Sequence, residues 1–230
     1  MGLVNAGAFA GWRDWVDRFK GHKRQSQHSS GSLDSRTVVR GLKEALRKGS
    51  GHAVRQLGQF NGFYSNDRFR IPLPPNLHKL ARVLKRIGLK RHVRRFEKRM
   101  NRGAEQAVAQ VGPIFYRAIR NMTVRDALNI LRGPDDAATR YFQRETQHEL
   151  AGLIRPVVRR EMSRAGVVKA FNKLKRYDRW GGASRFNLEE YITSRAIESL
   201  FTMIAEQESA IRRDPVRRTT SLLRRVFGRH

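Results

Sequence analysis

Apolar residues recur three and four positions apart along most of this chain, and no convincing run alternates in twos. That spacing lays one apolar stripe along an α-helix, whereas a half-buried strand needs a period of two. Leu33, Val38, Val39, Leu42 and Leu46 make one stripe, and Leu77, Leu80, Leu84 and Ile87 a second. A third follows at Leu89, Val93, Phe96 and Met100. Glycine and proline punctuate the pattern. Gly49 is read as ending the first stripe, with Ser50 capping a short helix to Leu57; Gly88 separates the second from the third. Gly112-Pro113 breaks the next, and Pro156 restarts the chain after Ile154. Asn76, Thr123 with Asp126, Asp135 or Asp136, and Asn187 stand where helix N-caps are expected.

One internal stretch excludes helix. GQFNGFYSNDRFRIPLPP, residues 58–75, holds an Asn61-Gly62 turn and Pro72, Pro74 and Pro75, which cap or interrupt backbone hydrogen bonding. Its aromatics Phe60, Phe63, Tyr64 and Phe69 are expected to cover the core, with base stacking as the alternative. The expectation is therefore an all-α fold, a single multi-helix domain of about eight to ten helices over residues 32–230. Ahead of it, residues 1–31 read as a short amphipathic helix, with Trp12, Trp15, Val16 and Phe19 on one stripe, and a Ser/Gly-rich linker;.

Charge narrows the partners. Lys and Arg number 48 against 20 Asp and Glu, a net +28 with a pI near 11.6. Such a balance favours nucleic acid or an anionic membrane surface. Arginine supplies 37 of the 48 cations, and its planar fork chelates phosphate and stacks on bases; a GC-rich genome gives the same bias without a function. The charge is also segregated. Residues 77–102 carry 11 cations against the single acid Glu97, residues 155–185 carry ten against two, and residues 212–230 seven against one. Residues 103–154 balance at six and six, and residues 186–211 are acidic. A uniformly solubilising surface has no reason to leave its middle neutral. The candidate nucleic-acid-binding residues are therefore Lys79, Arg82, Lys85, Arg86, Lys90, Arg91, Arg94, Arg95, Lys98 and Arg99 in the first basic segment. Arg159, Arg160, Lys173, Lys175 and Arg176 follow in the second, and Arg217, Arg218, Arg224 and Arg225 in the third.

Catalytic signatures are sparse. The chain has no cysteine, which excludes disulfides, thiolate metal sites and cysteine nucleophiles. Seven histidines form no HExxH pattern, and neither GxxxxGK[ST] nor GxGxxG occurs;. Glu145 and His148 have the spacing of a di-iron ligand pair, but such sites need a second pair and two more glutamates. Asp126, Asp135 and Asp136 are explained by capping. No catalytic residue, metal site or cofactor is expected. No apolar run approaches the ~20 residues of a membrane span. The opening MGLVNAGAFAGW lacks the positive region of a secretory signal, and Gly2 is followed by Ala6 where myristoylation wants Ser or Thr.

Several phrases together resemble one family. They are GLKEALRKGSGHAVRQLG (41–58), NGFYSNDRFRIPLPPNL (61–77), MNRGAEQAV (100–108), MTVRDALNILRGPDDAATRYFQRET (122–146), YITSRAIESLFTMIAEQESAIRRDP (191–215) and SLLRRVFG (221–228). Their order and spacing resemble the bacterial domain of unknown function 4197 over about residues 33–228. The resemblance implies an all-helical fold with no assigned reaction or cofactor, usually met behind a signal peptide in the cell envelope. This chain departs in lacking that signal, in Gly103 where the family tends to have Ala, in Pro134-Asp135-Asp136, and in its cationic coat. Its shared residues Pro72, Pro74, Asn101, Glu105, Asp126, Asp135, Thr139, Tyr191, Glu206 and Asp214 are expected to be structural.

Three readings follow. The first is a non-catalytic structural protein that binds RNA backbone, ribosomal RNA above all, beside neighbouring ribonucleoprotein proteins, for instance in a mitochondrial ribosome in the matrix. The second is a peripheral membrane or envelope protein on anionic lipid. The third is an enzyme or ligand carrier built on the charge-neutral residues 103–154.

Overall fold

The computed structural model describes residues 35–164 and 186–213, and their regular structure is entirely helical. The fold is all-α. In chain order the helices are α1 (Ser35–Gly58), α2 (His78–Arg86), α3 (Lys90–Val108), α4 (Gly112–Asn121), α5 (Val124–Arg132), α6 (Ala137–Arg164) and α7 (Leu188–Arg213). A 3-10 turn, Pro75–Leu77, leads into α2. The expected helices at residues 12–20 and beyond residues 166 and 214 lie outside the described residues.

The core is made by α3, α6 and α7, with α1 and α4 laid against them. At its centre Phe115 stands edge-on to Phe142 at 5.3 Å and to Phe201 at 6.4 Å, the arrangement ring quadrupoles prefer. Met100, Ile154, Ile192 and Leu200 close around them. Where α3 passes α6, Gly103 faces Val158 and Glu161; a Cβ there would stand 3.7 Å from the Glu161 Cβ, an ordinary contact. An alanine there therefore fits, and Gly103 is no structural requirement.

Several local readings hold. Pro113 sits in the first turn of α4, where its missing N–H costs nothing. Thr123 and Asp126 form a reciprocal capping box on α5, and those hydrogen bonds from Thr123 hold the Asp126 carboxyl below its usual pKa;. Asn187 caps α7 through the Glu190 amide at 3.0 Å.

Others are changed by packing. Ser50 starts no new helix: α1 runs through it, and its buried hydroxyl donates to the Leu46 carbonyl at 2.7 Å. Burial of Ala53, Val54 and Leu57 outweighs the weak preference of Gly49 and Gly51 for ending a helix. Pro156 likewise lies inside α6. The carbonyl it deprives of a partner belongs to Gly152, and both residues lie on the exposed side, where water substitutes. The amides of Ala138 and Thr139 at the start of α6 are taken not by Asp135 or Asp136 but by Glu208 of α7, both at 2.9 Å. The N-cap position of α2 is Leu77, one place after Asn76, and the Leu77 side chain offers no cap. Nor is the second stripe all inward. Leu77 is buried and Leu84 half-buried, but Ile87 is 65% exposed, because α2 packs chiefly on α3 and the preceding turn. Gly88, at φ +85°, then reverses the chain into α3, a conformation that suits glycine.

A candidate nucleic-acid interface

Three polar side chains spaced four apart on α3, Glu97, Asn101 and Glu105, fasten the loop of residues 59–74 to the helix. Four-residue spacing puts them on one face. Glu97 accepts both from Arg70 Nε and from its terminal nitrogen, each at 3.1 Å. Asn101, fully buried, accepts from the Ile71 amide at 2.8 Å and donates to the Ile71 carbonyl at 2.9 Å. It thus pairs with an extended backbone much as a neighbouring strand would. Glu105, also buried, accepts from the Phe63 and Tyr64 amides at 3.2 and 3.0 Å and holds Arg102. From α7, Tyr191 donates to the Pro72 carbonyl at 3.1 Å, and Glu206 pairs with Arg68.

The clamp sorts the four loop aromatics. Phe63 and Phe69 enter the core, as expected, but Phe60 is 77% exposed and Tyr64 half-buried. The expectation that all four cover the core fails at these two. The reason is the turn: Asn61 takes φ 68°, and Gly62 follows, so Phe63 points inward while the residues on either side of the turn stay at the α3 surface. Asparagine is among the few residues that adopt such a φ.

Beside the clamp lies the cationic face of α3. At 100° per residue, Arg94, Arg95, Lys98, Arg99 and Arg102 fall within an arc of about 140°, while Val93, Phe96, Met100 and Ala104 occupy the opposite, buried side;. These five cations and Tyr64 line a depression of about 480 Å³ with no carboxylate in its wall among the described residues. Arg70 and Lys98 stand over the Tyr64 ring at 4.9 and 5.8 Å. Arg102 lies 3.5 Å over the Phe60 ring and is fixed on its other edges by Glu105 and by Asn61 Oδ1 at 2.7 Å. Its charge is thereby largely answered by Glu105. Arg94, Arg95 and Lys98 have no carboxylate partner among the described residues, nor do the exposed Lys79, Arg82, Lys85 and Arg86 of α2 and Lys90 and Arg91 at the start of α3.

The second predicted segment is handled differently. Arg159 is engaged by Glu189 at 2.8 Å, and its neighbour Arg155 by Glu190, so two cations of α6 meet the acidic start of α7. Arg160 is exposed, and neither it nor Arg159 lines the depression. Lys173, Lys175, Arg176, Arg217, Arg218, Arg224 and Arg225 lie outside the described residues. Sequence reasoning left Arg102 out of the candidates and gave Phe60 and Tyr64 a place only in the base-stacking alternative. Arg102 was visible as the next member of the Arg94–Lys98 row.

Candidates for other chemistry are otherwise occupied. Glu105 and Asp126 spend their carboxylates on backbone amides. Glu145 is exposed and bound to Arg144, and His148 is exposed. Among the described residues no group of three His, Asp or Glu is placed to hold a metal ion, and no helix is long and apolar enough to cross a membrane.

No curated protein and no solved structure matches the chain. The family described as Protein of unknown function (DUF4197) matches residues 32–228, a span that contains the loop, its clamp and the cationic face. The chain belongs to that family.

Proposed function

We propose that this protein binds RNA backbone without catalysis, through the exposed cations of α2 and α3, as a structural component of a ribonucleoprotein particle. The observation that carries the reading is the contrast in pairing. On α6 and α7, Arg140, Arg144, Arg155, Arg159, Arg195 and Arg212 each meet a carboxylate, whereas nine cations of α2 and α3 stand exposed without one among the described residues. Like charges four apart, as in Arg94 with Lys98, weaken a helix by a few tenths of a kcal/mol per pair. A phosphate polymer offsets that cost by neutralising several at once. Contacts of this kind position a protein on a backbone and do not read sequence. A mitochondrial ribosome, with ribosomal RNA and its proteins as partners in the matrix, is the particle this reading favours.

One observation favours a second reading. Val83 and Ile87 are exposed among Lys79, Arg82, Lys85 and Arg86, a pattern that also suits an anionic membrane surface. Filter binding to structured RNA across salt, beside co-sedimentation with anionic vesicles, separates the two. With about eight phosphates neutralised, the RNA affinity is expected to fall about 10⁴-fold between 50 and 200 mM salt, a slope of roughly −7. Absent or salt-insensitive RNA binding, with retention on vesicles, would replace the first reading by the second.

A further inference from the structure

Resting on the RNA reading, we propose that the strand this face takes is unpaired, with one base stacked on the open side of Phe60 and its flanking phosphates in the depression lined by Arg94, Arg95, Lys98 and Arg99.

Phe60 is the most exposed of the large apolar side chains among the described residues, yet it is not loosely held. Arg102 covers one face of its ring at 3.5 Å, and Arg102 is itself immobilised by Glu105 and Asn61. The ring is therefore a preorganised platform with one side covered and the rest open to solvent. A base laid on the open side would form a layered stack of base, phenyl ring and guanidinium, in which the cation polarises the ring from behind. Arg102 also forms part of the wall of the depression, so the platform and the phosphate-binding cations are contiguous. The depression's volume, about 480 Å³, is within the range that accepts a group of nucleotide size. Tyr64, set among the cations, adds a second ring and a hydroxyl donor at the same place.

A duplex makes poor use of this arrangement. Its bases are stacked on one another, so it offers the cations phosphates but gives Phe60 nothing to cover it. Aromatic platforms beside basic grooves recur in recognition of unpaired strands, where each stacked base contributes ~5- to 150-fold in affinity. A free nucleotide carries the same base and phosphate, so the test must separate the two sources.

The full chain is titrated with a labelled polyadenylate strand, the same strand annealed to polyuridylate, and AMP as competitor. The single strand is expected to bind about tenfold more tightly than the duplex, and Phe60→Ala to erase that preference. Phe60→Trp, which keeps a ring, is expected to restore it, with indole fluorescence quenched on the single strand. Circular dichroism checks that both variants are folded. Equal losses on strand and duplex, or no loss in Phe60→Ala, would overturn the unpaired-strand proposal while leaving RNA binding intact. Displacement of the strand by AMP at comparable concentration would assign the site to a free nucleotide and overturn it also. If wild-type protein holds neither strand nor duplex, the broader RNA reading fails with it.

Discussion

Replacing Arg94, Arg95, Lys98 and Arg99 together by glutamine is expected to lower RNA affinity about 10³-fold at 0.1 M salt. The slope of log affinity against log salt should also become shallower by about 3, because each phosphate contact contributes ~0.7–0.9 to it. The same variant should fold at least as well as wild type. All four side chains lie on the outer side of α3, and removing the like-charged pair Arg94–Lys98 relieves a few tenths of a kcal/mol. Loss of binding with a small gain in stability is the signature of side chains placed for a ligand. Equivalent substitutions at Arg140 and Arg144 of α6, which are exposed but paired with Asp136 and Glu145, are expected to change RNA affinity far less. If both variants lose affinity equally, net charge rather than the α3 face governs binding.

Glu105→Ala is expected to act on the fold instead. The carboxylate is buried and holds two loop amides and Arg102. Deleting it strands all three, and breaking a buried charged contact of this kind costs about 3–5 kcal/mol. For a domain of this size that is a fall of about 10 °C or more in the melting temperature. The loop should come away from α3, carrying Phe60 and Tyr64 with it, so binding to unpaired RNA weakens even where the cations remain. Glu105→Gln retains an acceptor for the amides and should cost less. Calorimetry on the pair decides the matter, since an enzymatic glutamate would leave stability almost untouched when removed.

Helix type and the sharper boundaries were legible because they rest on local chemistry. The Thr123–Asp126 box, Pro113 in the first turn of α4 and Asn187 before α7 each depend on residues within a few positions. What sequence could not supply were contacts closed across the fold. Glu208 caps α6 from about seventy residues away, so Asp135 and Asp136 looked like the natural caps. Burial of α1 on both sides of Gly49 and Ser50 joined two expected helices into one. The cationic face of α3 was readable from periodicity alone, because its charges and its apolar stripe share one helix. The platform was not: Phe60 depends on Arg102, and Arg102 on Glu105 and on a loop some forty residues earlier. Pairing of Arg155 and Arg159 with α7 was hidden for the same reason, and it lessens the claim of that basic segment on a phosphate partner.

The most direct measurement is ultraviolet crosslinking of the protein in its native assembly, with the nucleotide-bearing peptides identified by mass spectrometry. Adducts are expected on α2 and α3 between Lys79 and Arg102 and on the loop aromatics Phe60 and Tyr64. Nucleotide adducts confined to the rest of the chain, or an assembly that contains no RNA, would contradict the account.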